Sequence, residues 1–139
     1  MKKEIEILAR AIIQTEGKIL VCKRIGKEYY FFPGGHVEFR ESAKEALVRE
    51  IKEELGLTVK KCSFIGSSEH IFIQESEECH EINLAFEVKV NKLKIRSREN
   101  HIEFFLKSTK ELAREEVLPI ALTKAVLKWL KDKKPFWTS

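Results

Sequence analysis

Apolar positions change period along this chain, and the change divides it into strands around one long helix. Residues 5–14 and 18–25 (KILVCKRI) are apolar, β-branched runs separated by Glu16-Gly17, a pattern that predicts a hairpin. Residues 29–32 (YYFF) form a short apolar segment that ends at Pro33-Gly34-Gly35, a turn where backbone approaches a ligand closely. Residues 59–75 predict one strand or two, with Gly66 as a bend, and residues 81–90 (EINLAFEVKV) and 101–107 (HIEFFLK) predict further strands. A second helix is expected over residues 118–131, with Pro119 in its first turn. The mixture predicts an α/β sandwich with a mixed sheet between helices.

The long helix is bounded by strong signals. Ser42 followed by Glu45 is a capping box, so the helix starts at Ala43, and Gly56 stands where a left-handed C-terminal cap ends it near Leu55. Glu50, Glu53 and Glu54, at i, i+3 and i+4, share one helical face. Leu47, Val48, Ile51 and Leu55 gather on an adjacent face suited to the core. Ala43 and Ala46 fall on the carboxylate side, where small side chains leave room for a ligand. Like charges at i,i+4 destabilise a helix by roughly 0.2–0.5 kcal/mol per pair. Arg49 relieves part of this through Glu53, and a hard divalent cation such as Mg²⁺ or Mn²⁺ relieves more. The competing reading is a solvated Glu/Lys helix, which 21 Glu and 19 Lys against one Asp make easy.

The wider spacing favours the metal reading. Residues 35–57, GHVEFRESAKEALVREIKEELGL, place Gly35, then Glu41, Arg49-Glu50, an apolar Ile51, Glu53-Glu54 and Gly56-Leu57. This is the pattern G-x5-E-x7-REU-x-EE-x-GU, with U apolar, and it resembles the signature of the Nudix hydrolases without a mismatch. The segment order resembles that family over nearly the whole chain. The resemblance implies an α/β/α sandwich with a catalytic loop-helix-loop. It implies Mg²⁺- or Mn²⁺-dependent hydrolysis of a nucleoside diphosphate linked to another group. Glu50 and Glu54 are then the main metal ligands, with the Gly35 carbonyl, and Glu53 is a further ligand or the base that activates water. Glu41 and Arg49 brace the loop and orient Glu50.

Relatives of this kind often use an acid outside that stretch. Glu103, on a predicted strand, is the first place to look and Glu99 the second; the alternative for each is a solvated surface glutamate. Lys23 and Arg24 contact the substrate phosphates or form an edge-strand charge pair, and Gly34 and Gly35 bring backbone to the substrate. His36 follows the double glycine, where a plain loop role competes with phosphate contact. Trp129 and Trp137 suit a core or an interface better than a base-stacking platform.

Composition narrows the remaining classes. The 139 residues suit a single domain across 1–139, and no stretch reads as a linker. The net charge is +4, with Lys scattered among Glu, so no nucleic-acid partner is indicated and the KDKK run reads as a helix end. No apolar span is long enough for a membrane and the N-terminus lacks a signal-peptide core. Cys22, Cys62 and Cys79, odd in number and without metal-ligand spacing, suit free thiols in a reducing cytoplasm. The expected partner is a small nucleotide, bound by a monomer or homodimer. Markers resembling those of the ADP-ribose, diadenosine-polyphosphate, coenzyme A and NADH types are absent, which leaves a MutT-like nucleoside triphosphate pyrophosphohydrolase as the first reading. An ADP-ribose or ADP-sugar pyrophosphatase and a non-catalytic nucleotide-sensing domain are the alternatives.

Overall fold

The computed structural model describes residues 3–92, 97 and 99–139. Two mixed sheets carry the chain, where one was expected. The first has the order β10 (Phe136–Thr138), β6 (Val59–Gln74), β7 (Glu77–Val90), β1 (Ile5–Ile12), β5 (Gly34–His36). The second has the order β2 (Gln14–Thr15), β3 (Lys18–Arg24), β4 (Tyr30–Phe31), β9 (Val117–Leu118), and β8 (Ile102–Ser108) pairs the other side of β3. The helices are α1 (Ala43–Leu55), α2 (Thr109–Arg114) and α3 (Ile120–Asp132).

The expected hairpin at Glu16-Gly17 joins only β2 to β3; β1 instead pairs β7 in parallel and β5 antiparallel. The reason is burial on both sides of β1. Ala9 and Ala11 pack with Leu47, Ile51 and Leu55 of α1, whereas Ile12 packs with Leu122, Val126 and Trp129 of α3. A strand of that kind belongs between layers rather than at an edge. The helix α1 begins and ends as its sequence predicts: the Glu45 amide donates to Ser42 Oγ at 3.1 Å, the Ser42 amide donates to Glu45 Oε1 at 2.9 Å, and Gly56 is left-handed at φ 69°.

Several expectations need correction. Val48 is exposed rather than part of the core face. Ala46 is fully buried and Ala43 packs against the core, so neither leaves space beside the acids. Gly34 and Gly35 form a short strand, not an open turn. Pro119 caps α3 from outside its first turn. Trp129 is core, but Trp137 is 62% exposed. Gly66 does not bend the chain: β6 runs on through a register shift between Phe64 and Gly66. Its missing side chain serves packing, because a Cβ there would lie 2.5 Å from the Phe136 ring. That ring holds β10 parallel to residues 66–68 of β6. The short elements α2, β9 and β10 lay below the length at which periodicity speaks.

Gly66→Ala should lower stability by about 1–3 kcal/mol through overpacking. In a Phe136→Ala background most of that loss should vanish, because the ring it collides with is gone. Denaturant unfolding of the two single variants and the double variant measures the coupling; additive losses would show that Gly66 is needed for another reason.

Candidate active site

Three elements deliver the acidic residues to one place. The helix α1 presents Glu50, Glu53 and Glu54; the loop before it brings Glu41; and β5 sets Gly34 and Gly35 against the helix. The approach of β5 is close. A Cβ on Gly34, whose φ is 140°, would run into the Ala9 carbonyl, and a Cβ on Gly35 would lie 2.6 Å from the Glu50 carboxylate. Gly34 therefore requires glycine for conformation and space, and a side chain at Gly35 would displace the Glu50 carboxylate.

Arg49 organises the acids. Its Nε donates to Glu41 Oε2 at 2.7 Å and its Nη2 to Glu41 Oε1 at 3.0 Å, a two-pronged contact. Nη1 donates to Glu50 Oε1 at 2.9 Å, and Nη2 also reaches the His36 carbonyl at 3.2 Å. Glu53 Oε2 lies 3.6 Å from Nη1. The hydrogen bond from Arg49 is the largest cause holding the Glu41 carboxyl down at about 2, and the same bond raises the Arg49 pKa.

The three helix acids differ sharply in environment. Glu53 has a half-exposed side chain, Glu50 is mostly covered, and Glu54 is buried. Burial raises the Glu50 pKa, with Arg49 opposing it. Burial, then the charges of Glu50 and Glu99, push Glu54 up to about 8, against Arg10 and a backbone hydrogen bond from Gly34. Glu54 Oε1 is nonetheless buried without a hydrogen-bond partner. A buried, partnerless carboxylate oxygen is costly unless something else supplies the compensation.

A hard divalent cation fits that place: the donors are all oxygen, and one of them is orphaned. Among the described residues no three acid, His or Cys side chains converge to cage an ion by themselves. Mg²⁺ does not require such a cage, since it is held by one or two carboxylates together with waters and substrate phosphates.

Other expected residues are distributed unevenly. The charge of Glu99 contributes to raising both Glu50 and Glu54, behind burial in each case. Its amide is held by Ser97 Oγ at 3.2 Å, and its carboxylate lies 3.2 Å from His101 Nε2. Glu103, the first expectation for the extra acid, is exposed on β8 opposite Lys23 and is not brought to the others. Alternation along β8 decides this, since Ile102 and Phe104 take the inward positions. Lys23 and Arg24 part company for the same reason. Lys23 Nζ lies over the Tyr30 and Phe105 rings at 5.5 and 5.6 Å, while Arg24 sits over Phe31 at 5.3 Å and lines a cavity of about 310 Å³. His36 is exposed, with Nε2 3.2 Å from Glu6.

That cavity is lined by Arg10, Tyr29, Phe31, His70 and Phe72 as well as Arg24. Sequence reasoning passed over Arg10, although a lone charge inside the apolar run ILARAII was a signal. Its guanidinium donates to Asn83 Oδ1 and to the Phe32 carbonyl, each at 3.1 Å, and acts electrostatically on Glu54. It therefore belongs to the cavity wall and acts on Glu54 through its charge.

A family model described as the NUDIX domain matches residues 5–132. The chain belongs to the Nudix family. Nudix hydrolases generally use divalent metal ions. An 8-oxo-dGTP diphosphatase of Proteus vulgaris is 32% identical over 75 residues, which are 51% of this chain and 67% of that protein. A CTP pyrophosphohydrolase of Escherichia coli K12 is 42% identical over 69 residues, 47% of this chain and 50% of that protein. The alignments thus span half to two thirds of these relatives. The crystal structure of a MutT protein from Methanosarcina mazei Go1 superimposes with a TM-score of 0.75 at 25% identity, covering 96% of this chain and 99% of that one.

The Glu54 environment has a thermodynamic consequence. Its folded pKa of about 8 lies above the ordinary 4.5, so the metal-free protein holds a proton that the unfolded chain releases. The associated stability is full below the lower value and is lost as pH rises through the upper one. Metal-free protein should therefore melt at progressively lower temperature from about pH 5 to pH 8, and Glu54→Gln should flatten the decline. Glu41 does not interfere, because its lowered pKa acts below 4.5. Thermal melts in chelator across that range test this; an equally steep decline in the variant removes Glu54 as the source.

Proposed function

We propose that this protein is a metal-dependent nucleoside triphosphate pyrophosphohydrolase that releases nucleoside monophosphate and pyrophosphate. The observation that carries the reading is the buried, partnerless oxygen of Glu54 beside Glu50, set against the Gly34-Gly35 strand on a helix that is already capped. Such an arrangement is a poor way to stabilise a fold and a good way to receive a cation. The adjoining cavity supports the substrate class. Its 310 Å³ and its aromatic walls suit one nucleoside, and Arg10 and Arg24 suit the charge that follows it. Two relatives named for nucleoside triphosphate substrates agree with this choice.

Glu50, Glu54 and the Gly35 carbonyl would hold Mg²⁺ or Mn²⁺, with Glu53 as a further ligand. A bound ion of this kind neutralises the phosphate oxygens and lowers the pKa of water. Arg49 fixes the Glu50 carboxylate through the contact it shares with Glu41. Glu99, whose charge acts on both Glu50 and Glu54 from outside the helix, would take the proton of the attacking water. Aromatic side chains grip the nucleoside while the attack breaks a phosphoanhydride bond. Three free thiols suit the reducing cytoplasm as the working compartment.

A panel of nucleoside triphosphates, ADP-ribose and diadenosine polyphosphates, each with Mg²⁺, tests the reading by the products released. Pyrophosphate should come from the triphosphates; release only of AMP and ribose phosphate from ADP-ribose would overturn the substrate class. Chelator should abolish turnover and leave the circular dichroism spectrum folded, because packing and caps hold α1 without the ion. Glu50→Gln and Glu54→Gln should each cost at least about a hundredfold in kcat. Near-normal rates in both would remove the metal-site assignment.

Glu99→Gln should also slow kcat by about a hundredfold or more, with Glu103→Gln close to the unsubstituted protein. Rates at saturating substrate decide between them, and a larger loss at Glu103 reverses the assignment.

A further inference from the structure

Residues 117–139 form one of the cationic segments of this chain. Residues 117–139 hold five lysines and one aspartate, a net of +4, which equals the net charge of the whole sequence; the remainder is balanced. In the fold this segment is β9, α3 and β10, and the last two enclose a groove of about 590 Å³. Lys124, Lys128 and Lys134 line it and are exposed, and among the described residues no carboxylate pairs with any of them. Asp132 is engaged locally, its Oδ1 accepting the Lys134 amide at 2.9 Å. Trp137 lines the same groove with 62% of its surface exposed.

We propose that the groove between α3 and β10 binds single-stranded RNA, with the three lysines along its phosphates and Trp137 stacked on a base. A row of cations beside an exposed aromatic plane is the arrangement that holds single strands without reading their sequence. Lys124 and Lys128 stand at i,i+4 on α3, about 5–6 Å apart at Cβ, so they present a line of charge rather than a point. The groove is concave, which suits a chain that lies within it better than a flat anionic membrane. Its position agrees. Leu118 and Pro119 line the nucleotide cavity and the next two residues, Ile120 and Ala121, line the groove, so the start of α3 is the wall between them. This inference goes beyond the proposed hydrolysis and does not depend on it. It runs counter to the expectation, drawn from scattered lysines along the sequence, of no nucleic-acid partner, and the binding experiment decides between them.

Fluorescence anisotropy with a labelled 5′-hydroxyl single-stranded RNA of about ten nucleotides tests the surface, since that probe has no anhydride to cleave. Three phosphate contacts predict that log K falls against log salt with a slope of about −2. K124E/K128E/K134E should weaken binding by at least about tenfold and bring the slope near zero, while W137A should weaken it about tenfold and leave the slope in place. Hydrolysis of free nucleotide should be unchanged in the lysine variant, which also reports that it is folded. Equal affinity of the variant and the unsubstituted protein overturns the proposal. So does tighter binding to phosphatidylserine vesicles than to RNA, or a loss of free-nucleotide hydrolysis in the lysine variant. Lysine-dependent RNA binding by a protein that cleaves no nucleotide would sink the pyrophosphohydrolase reading and leave the surface standing.

Discussion

The site depends on one guanidinium holding mutually repelling carboxylates in register. Arg49 engages Glu41 with two nitrogens, Glu50 with a third contact, and the His36 carbonyl besides. These partners come from the helix, from the loop before it and from β5, so the contact also fixes the geometry of the whole segment. Arginine is needed for this, because a lysine presents a point charge and cannot span two carboxylates and a carbonyl in one plane. With Glu50 so held, the space at Gly35 is occupied by its carboxylate, and the strand and the helix become parts of a single structure.

Around that fixed point the chain distributes burial unequally. Glu53 is half exposed, Glu50 is mostly covered and Glu54 is buried. Helical spacing alone makes these three equivalent neighbours, yet β5 and the core beneath α1 cover one and leave another open. Burial raises the pKa of Glu50 and, further, that of Glu54 on one short stretch of helix.

Much of this was legible in the sequence. The span and both caps of α1 followed from Ser42, Glu45 and Gly56, since capping is a local contact that the chain declares within four residues. The carboxylate face followed from spacing, and the Arg49 brace from the resemblance of residues 35–57 to the Nudix signature. What escaped depended on partners distant along the chain. Whether Ile12 and Ala11 face different layers is decided by strands far along the chain, and no local pattern reveals that. The exposure of Glu103 depended on the pairing of β8 with β3, which sets Glu103 opposite Lys23. The role of Gly66 belonged to a ring seventy residues later. Arg10 was visible as an oddity, but its meaning required the cavity.

Arg10 also ties together two properties that enzymes commonly adjust separately. The same guanidinium borders the cavity proposed here for the nucleoside and sets part of the field felt by Glu54. A lineage that altered this residue to accept a different base would shift the acidity of the cluster at the same stroke. Selectivity and working pH are thereby harnessed to one codon, and drift in either has to be compensated from the far side of the shared wall, by Arg24 or Glu81.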